Sequence, residues 1–269
     1  MRILVTNDDG VKAAGLVALA RRLAQEGHDV VVVAPMVEAS GAGAGVGPIH
    51  TFSAGIHVDK IEIEGLDGIE TLGIDALPAL AVIAACMGAF GPPPDLIASG
   101  INPGRNIGPA VLHSGTVGAA LTAAHFGCRG LAMSIQSGRG RPVHYESAAE
   151  IAARLAPVVV TSPPRTVVNC NVPNLPVGEI LGLRLAHLSN SGLIRSALAD
   201  ADGPRIELEL GFAPVPEEEE SDEALTTAGY ATLTPLVGVS EDTTPDVHAA
   251  LQGLVESWLP SQSEALRLS

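Results

Sequence analysis

The sequence predicts an α/β protein built on a mostly parallel sheet, and three observations carry that expectation. A short apolar run, Ile3-Leu4-Val5, opens the chain and leads through Gly10 into apolar residues at helical spacing, Leu16, Leu19, Ala20 and Leu23. A second run, Asp29 to Pro35, follows Gly27, a natural helix-ending residue, and completes a β-α-β unit whose crossover should be right-handed. Strand-like runs then keep alternating with helical patterns until about Leu183, where the style of the chain changes.

Composition bounds the rest. Hydrophobic residues make up 46% of the 269 positions, enough to bury a full core in one large domain. Aromatic residues are only 3%, so Val, Leu, Ile and Ala must do most of the packing. A net charge of −15 argues against non-specific binding to nucleic-acid polymers or anionic membranes, and an anionic substrate would need a local cation. Cys86, Cys128 and Cys170 sit in apolar or strand-like settings and read as reduced, structural thiols; their equal spacing has no counterpart in their flanking sequences. No signal peptide is evident, and the longest apolar stretch, Ala76 to Phe90, is broken by Pro78 and falls short of the roughly 20 residues of a membrane helix. A soluble, cytoplasmic protein is expected.

The elements follow in order. The first strand ends in Thr6-Asn7-Asp8-Asp9-Gly10, which puts two adjacent carboxylates in a strand-to-helix loop. Such loops lie at the carboxyl edge of a parallel sheet, where ligands bind. Asn, Asp and Gly are also ordinary turn formers, so the pair alone reads more readily as a capped turn. The second strand leads into Glu38 to Pro48, with glycine at every second position from Gly41 to Gly47. A dinucleotide fingerprint would need its glycines after the first strand and before a helix, so a close-approach loop carrying the hydroxyl of Ser40 fits better. Ile56 to Leu72 suggests one or two antiparallel strands turning at Gly65 to Gly68. A buried helix over Leu77 to Phe90, starting near Asp75, is stopped by Pro92-Pro93-Pro94. Asp95 to Gly100 is a strand ending in the polar loop Ile101 to Gly108, which presents Asn102 and Asn106.

His113-Ser114-Gly115-Thr116 precedes a small, apolar helix over Val117 to Phe126, with Ser114 or Thr116 as its cap. Its free N-terminal amides would suit an anion. Strands over Gly130 to Ile135 and Thr166 to Asn169 flank a helix over Tyr145 to Leu155. Farther on, Arg205 to Leu210 alternates as a half-exposed antiparallel strand, and Glu217 to Glu220 with Asp222 and Glu223 reads as a solvated acidic loop. Ala231 to Leu236 is another strand. Thr244-Pro245-Asp246 opens a terminal helix whose apolar face is Val247, Leu251, Leu254, Val255 and Trp258.

Three loops of the carboxyl edge thus offer Asp8, Asp9, Ser40 and Asn102, an all-oxygen set suited to Mg²⁺, Mn²⁺ or Ca²⁺ rather than zinc. At this point the chain resembles the SurE family, the survival-protein nucleotidases that remove phosphate from nucleoside monophosphates with a divalent metal. The matching stretches are Met1 to Val11, Val33-Ala34-Pro35 with Ser40-Gly41-Ala42, Ser99-Gly100-Ile101-Asn102 with Gly104 and Asn106, Ser114-Gly115-Thr116-Val117, Asn171-Val172-Pro173, and Gly229-Tyr230 with Thr234-Pro235-Leu236.

The resemblance implies a Rossmann-like, three-layer core over residues 1–185 and a C-terminal hairpin and helix over 186–269, within one structural domain overall. It implies one divalent metal ion held by Asp8, Asp9, Ser40 and Asn102. It also implies a phosphate site at Asn106, Ser114, Gly115 and Thr116, with Asp8, Asp9 and Asn106 as the catalytic residues. The reaction implied is phosphomonoester hydrolysis of nucleoside 5′- or 3′-monophosphates by direct attack of an activated water, the small phosphorylated substrate being the main partner. The C-terminal arm would be exchanged between subunits of a homodimer or homotetramer. The alternatives are another small phosphate ester as substrate, or a metal- and nucleotide-binding module without turnover. The chain departs from the family pattern at Met36-Val37-Glu38-Ala39, where two basic residues are usual, and at Pro109-Ala110, His113 and Thr122.

Overall fold

The computed structural model describes residues 1–47, 55–138, 140–190, 194–199, 207–212 and 218–240, together with residues 245, 249, 251 and 252. It divides into a unit over Met1–Val237 and a unit over Gly238–Ser269. In the second unit Pro245, Ala249, Leu251 and Gln252 are helical; the rest of the expected terminal helix lies outside the described residues.

The first unit is organised on a nine-stranded sheet of order β3-β4-β2-β1-β5-β6-β7-β11-β8. Its strands are β1 (Arg2–Thr6), β2 (Asp29–Pro35), β3 (Val58–Lys60), β4 (Glu70–Ile74), β5 (Leu96–Asn102), β6 (Arg129–Ile135), β7 (Val167–Val172), β8 (Leu183–Leu185) and β11 (Ala231–Leu236). Between the last two in sequence, β9 (Ile194–Ala199) and β10 (Glu207–Phe212) form a separate antiparallel hairpin. From β4 across to β7 all neighbours run parallel; β3 and β11 are antiparallel to β4 and β7.

The period of two along each strand divides the core between the two faces of the sheet. Ile3, Val5, Val32 and Ala98 join Leu16, Leu19 and Leu23 of α1 (Ala14–Gln25) and Ala148, Ala152 and Leu155 of α4 (Tyr145–Thr161). Leu4, Val31, Val33 and Ile97 point the other way, onto Val82 and Ala85 of α2 (Pro78–Cys86) and Ala119 and Ala123 of α3 (Gly115–His125). Each fully buried Leu or Ile contributes about 1.5–3 kcal/mol by its removal from water, and with few aromatics the protein relies on many such residues.

The chain leaves β1 toward β2 on one side and later crosses to β5 on the other. The strand order therefore reverses between β1 and β5, which opens a crevice beyond their carboxyl ends. The loop holding Asp8 and Asp9 follows β1, and Asn102 is the last residue of β5.

Several expectations need correction. β4 pairs with β3 as a hairpin would, yet its other edge lies parallel to β2 and extends the main sheet. The second helix is shorter than Leu77 to Phe90, because Met87 caps it and Gly88 turns into the left-handed region at φ 87°. The fourth helix runs past Leu155 to Thr161. Pro157 is exposed, so losing one helical N–H costs less there than the burial of Ala156 and Val159 returns. Asp222 is no member of a solvated loop. It is fully buried at the start of α5 (Asp222–Thr227), where its two oxygens accept the N–H groups of Gly108 at 3.0 Å and Ser189 at 2.9 Å. Glu217 and Arg205 lie outside the described residues.

Candidate active site

β1 delivers its polar end into a buried setting. Thr6, Asn7 and Asp8 are almost completely removed from solvent, and the Asn7 amide donates to the Gly10 carbonyl at 3.1 Å, tightening a turn that Gly10 completes at φ 102°. The loop after β2 is tied to it through Ala39 N–H to the Asp8 carbonyl at 2.7 Å and Val11 N–H to the Pro35 carbonyl at 2.8 Å.

The Asp8 carboxylate sits against the start of α3. Thr116 donates its hydroxyl to Asp8 Oδ1 at 2.6 Å. A Cβ on Gly115 would lie 2.6 Å from Asp8 Oδ2, so only glycine lets the helix approach this closely. Ser114 resolves the choice of cap: its hydroxyl accepts from Val117 N–H at 3.1 Å and its carbonyl from Gly118 N–H at 2.8 Å. The first-turn amides of Gly115 and Thr116 lie outside that cap.

Asp9 is poorly satisfied. Its Oδ2 is buried with no hydrogen-bond partner, as are Asn7 Oδ1, Thr6 Oγ1 and Ser99 Oγ. Burial first, then the charges of Asp8 and Glu38, push the Asp9 carboxyl up to about 7. Such a pair of acids is short of positive charge. Ser40, on the loop beyond β2, is exposed and donates to Glu38 Oε1 at 2.9 Å. Asn102 donates its side-chain amide to the Gly104 carbonyl at 2.7 Å, which leaves its Oδ1 as the oxygen for a ligand. Among the described residues no three His, Cys, Asp or Glu side chains converge, so a metal would rely on two carboxylates and neutral oxygens. Such donors suit a hard divalent cation, and the orphaned Asp9 Oδ2 is the feature that fits one.

Asn106 is held quite differently. Its N–H donates to Asn171 Oδ1 at 2.8 Å and its side-chain amide to Ser134 Oγ at 2.8 Å. Its carbonyl accepts from Asn169 at 2.9 Å and Asn171 at 2.8 Å. Sequence reasoning missed Asn169, Ser134 and the role of Asn171 here. The available signal was two asparagines two residues apart in a strand otherwise lined by Val167, Cys170 and Val172, because buried amides require partners.

Residues 3–193 match the family described as survival protein SurE. The chain belongs to the SurE family. A 5′-nucleotidase SurE of Stenotrophomonas maltophilia is 35% identical over 274 aligned positions, covering 99% of this chain and 98% of its own. That of Carboxydothermus hydrogenoformans is 40% identical over 194, covering 70% of each. The crystal structure of the SurE protein from Aquifex aeolicus superposes with a TM-score of 0.74 at 28% identity, covering 94% of this chain and 99% of that one.

This SurE chain carries its departures at the rim of the site. Met36, Val37 and Glu38 are exposed on the loop after β2; Pro109 and Ala110 lie in a 3-10 turn, Gly108–His113. His113 is exposed, and its carbonyl accepts from Gly43 N–H at 3.1 Å. The glycine-rich loop is indeed a close-approach loop: a Cβ on Gly118 would lie 2.3 Å from the Gly43 carbonyl. Thr122 donates its hydroxyl back to the Gly118 carbonyl at 2.7 Å. Beside the site an open cleft of about 510 Å³ runs between α1 and the start of α4, lined in part by Lys12, Arg21, His144 and Tyr145. Burial and the nearby charge of Asp9 raise the Tyr145 phenol above its ordinary range. No helix among the described residues is long and apolar enough to cross a membrane.

Proposed function

We propose that this SurE protein is a divalent-metal-dependent phosphomonoesterase that hydrolyses nucleoside 5′- or 3′-monophosphates. The observation that carries the reading is the contact between an acid-rich loop with an orphaned buried oxygen and the N-terminus of α3, at the point where the strand order reverses. The printed name of the relatives, 5′-nucleotidase SurE, supports the substrate class.

Asp8, Asp9, Ser40 and Asn102 hold the cation in this reading, with Mg²⁺ or Mn²⁺ as the ions that suit the donors. When bound, the ion neutralises charge on the phosphoryl oxygens and promotes the attack of water. Thr116 keeps Asp8 in one orientation through its hydroxyl. The amides of Gly115 and Thr116 bind phosphoryl oxygens, helped by the positive end of α3. Asn106, fixed on three sides by Ser134, Asn169 and Asn171, places its loop against the phosphoryl group. Catalysis is then mostly positioning and charge stabilisation. The cleft beside Tyr145 has room for the nucleoside.

The division into a core of residues 1–185 and an arm of 186–269 belongs to the same reading, with β11 as the part of the second segment that enters the core sheet. So do a homodimer or homotetramer formed through that arm, and a cytoplasmic location. The deciding experiment is phosphate release from AMP, GMP and a chromogenic phosphate ester with Mn²⁺ or Mg²⁺, repeated with a chelator. Hydrolysis is expected only with metal; activity that persists both in chelator and in Asp8→Asn overturns the mechanism.

A further inference from the structure

Cys86 is the last residue of α2 and Cys128 the last before β6, and their sulfurs lie 3.5 Å apart. All three cysteines are reduced thiols, as expected, but the contact between Cys86 and Cys128 is one the sequence did not announce. Both side chains are half-buried, neither is part of the candidate active site, and both pack against the apolar cluster under α2 and α3. Cys128 Sγ also reaches the Pro94 carbonyl oxygen at 3.6 Å. A disulfide bond is about 2.05 Å long, so two thiols already in van der Waals contact need only a small side-chain movement to join. Cys170 is different: it is fully buried, and burial pushes its thiol up to about 12, which keeps it protonated and inert.

We propose that Cys86 and Cys128 form a dithiol modification site that hydrogen peroxide converts into an intramolecular disulfide. Cys128 reacts first. The thiol contact with Cys86 and the neighbouring Arg129 guanidinium favour its thiolate, against burial and the charge of Asp95. Its sulfur attacks one peroxide oxygen; the O–O bond breaks, a sulfenic acid forms, and hydroxide leaves to be protonated to water. The Cys86 sulfur then attacks the sulfenic sulfur; the S–S bond forms, the S–O bond breaks, and a second water leaves with the Cys86 proton. Two thiols lose two electrons and one peroxide is reduced to two waters.

The bond has a structural consequence. The segment it would close, from Cys86 to Cys128, contains all of β5, Asn102, Asn106 and the start of α3. Cross-linking it restricts the unfolded chain, so the oxidised protein should melt higher, by about 5 °C or more.

The test uses the full-length reduced protein, treated with hydrogen peroxide, unfolded, alkylated and mapped by mass spectrometry. The expected result is a peptide linking Cys86 to Cys128 within one chain, Cys170 as the one alkylated thiol, and a raised melting temperature that dithiothreitol reverses. Cys170→Ala should still form the bridge on oxidation and Cys128→Ser should form none. Sulfinic acid at Cys128 with Cys86 still alkylated, a bridge to Cys170, or a bridge between two chains overturns the proposal.

Discussion

On the β1 side of the crevice, oxygens are buried without donors: Asp9 Oδ2, Asn7 Oδ1 and Thr6 Oγ1 have no partner, and the Asp9 carboxyl is pushed up to about 7. On the β6 and β7 side, Asn106 has its N–H, its carbonyl and its side-chain amide all bonded to Ser134, Asn169 and Asn171, with Asn169 Oδ1 the exception. A buried polar group without a partner costs about 1–3 kcal/mol. The first side therefore holds a debt that a cation from outside can remove, whereas the second is completed by the protein itself. The two sides should respond oppositely to metal: the acids gain stability from it, and the amide network is indifferent.

The largest test of that contrast is Asp8→Asn. It removes a charge from the proposed cation site while keeping an acceptor for Thr116, so kcat/KM should fall by about 10³-fold or more while the chelated protein melts no lower than the parent. A large loss of stability in chelator would place Asp8 among the internal supports instead. Gly115→Ala comes next. Its Cβ would stand 2.6 Å from Asp8 Oδ2 and must displace either the carboxylate or the first turn of α3, so a loss of about 10²-fold in activity is expected. Unchanged kinetics in this variant would mean that the close approach is not needed. On the other side, Asn171→Ala unpairs the N–H and one acceptor contact of Asn106, and thermal or denaturant unfolding should show a loss of about 2 kcal/mol. Its Mn²⁺ affinity, measured by calorimetry, should stay within about twofold, a change of less than 0.5 kcal/mol; an affinity that collapses with the stability would dissolve the distinction between the two sides.

Much of this arrangement is written locally in the sequence. Ile3-Leu4-Val5, the spacing of Leu16, Leu19 and Leu23, and the cap before α3 are short-range signals, and each element stands where its pattern puts it. The acids, Ser40 and Asn102 are legible because loops after parallel strands collect at one edge. What stayed hidden depends on partners distant in the chain. Asp222 looks solvated beside Glu218, Glu219 and Glu220, and only its fit to the N–H groups of Gly108 and Ser189 explains its burial. The two hydroxyls near α3 looked alike, yet Ser114 caps the helix and Thr116 turns to Asp8, a choice made by the packing of the loop after β1. Likewise the spacing of Cys86 and Cys128 carries no information until α2 and α3 pack together.

The smallest effect, and the most diagnostic in sign, belongs to Glu38. This residue is exposed, accepts from Ser40, and adds to the effects of burial and Asp8 in raising the Asp9 carboxyl from its ordinary 3.8. Between that value and about 7 the folded, metal-free protein binds more protons than the unfolded chain, so its stability falls as pH rises through this window and is lowest above it. Glu38→Gln removes one source of the rise. In chelator at pH 8 the variant should melt slightly higher than the parent, and at pH 4, where Asp9 is neutral in the folded protein, the difference should vanish. With saturating Mn²⁺ the order should reverse, because the lost charge no longer favours the cation; a two- to fivefold weaker affinity, about 0.4–1 kcal/mol, is the expected size for an exposed charge. A variant that is more stable than the parent both with and without metal would show that Glu38 opposes the acids without helping to hold a cation.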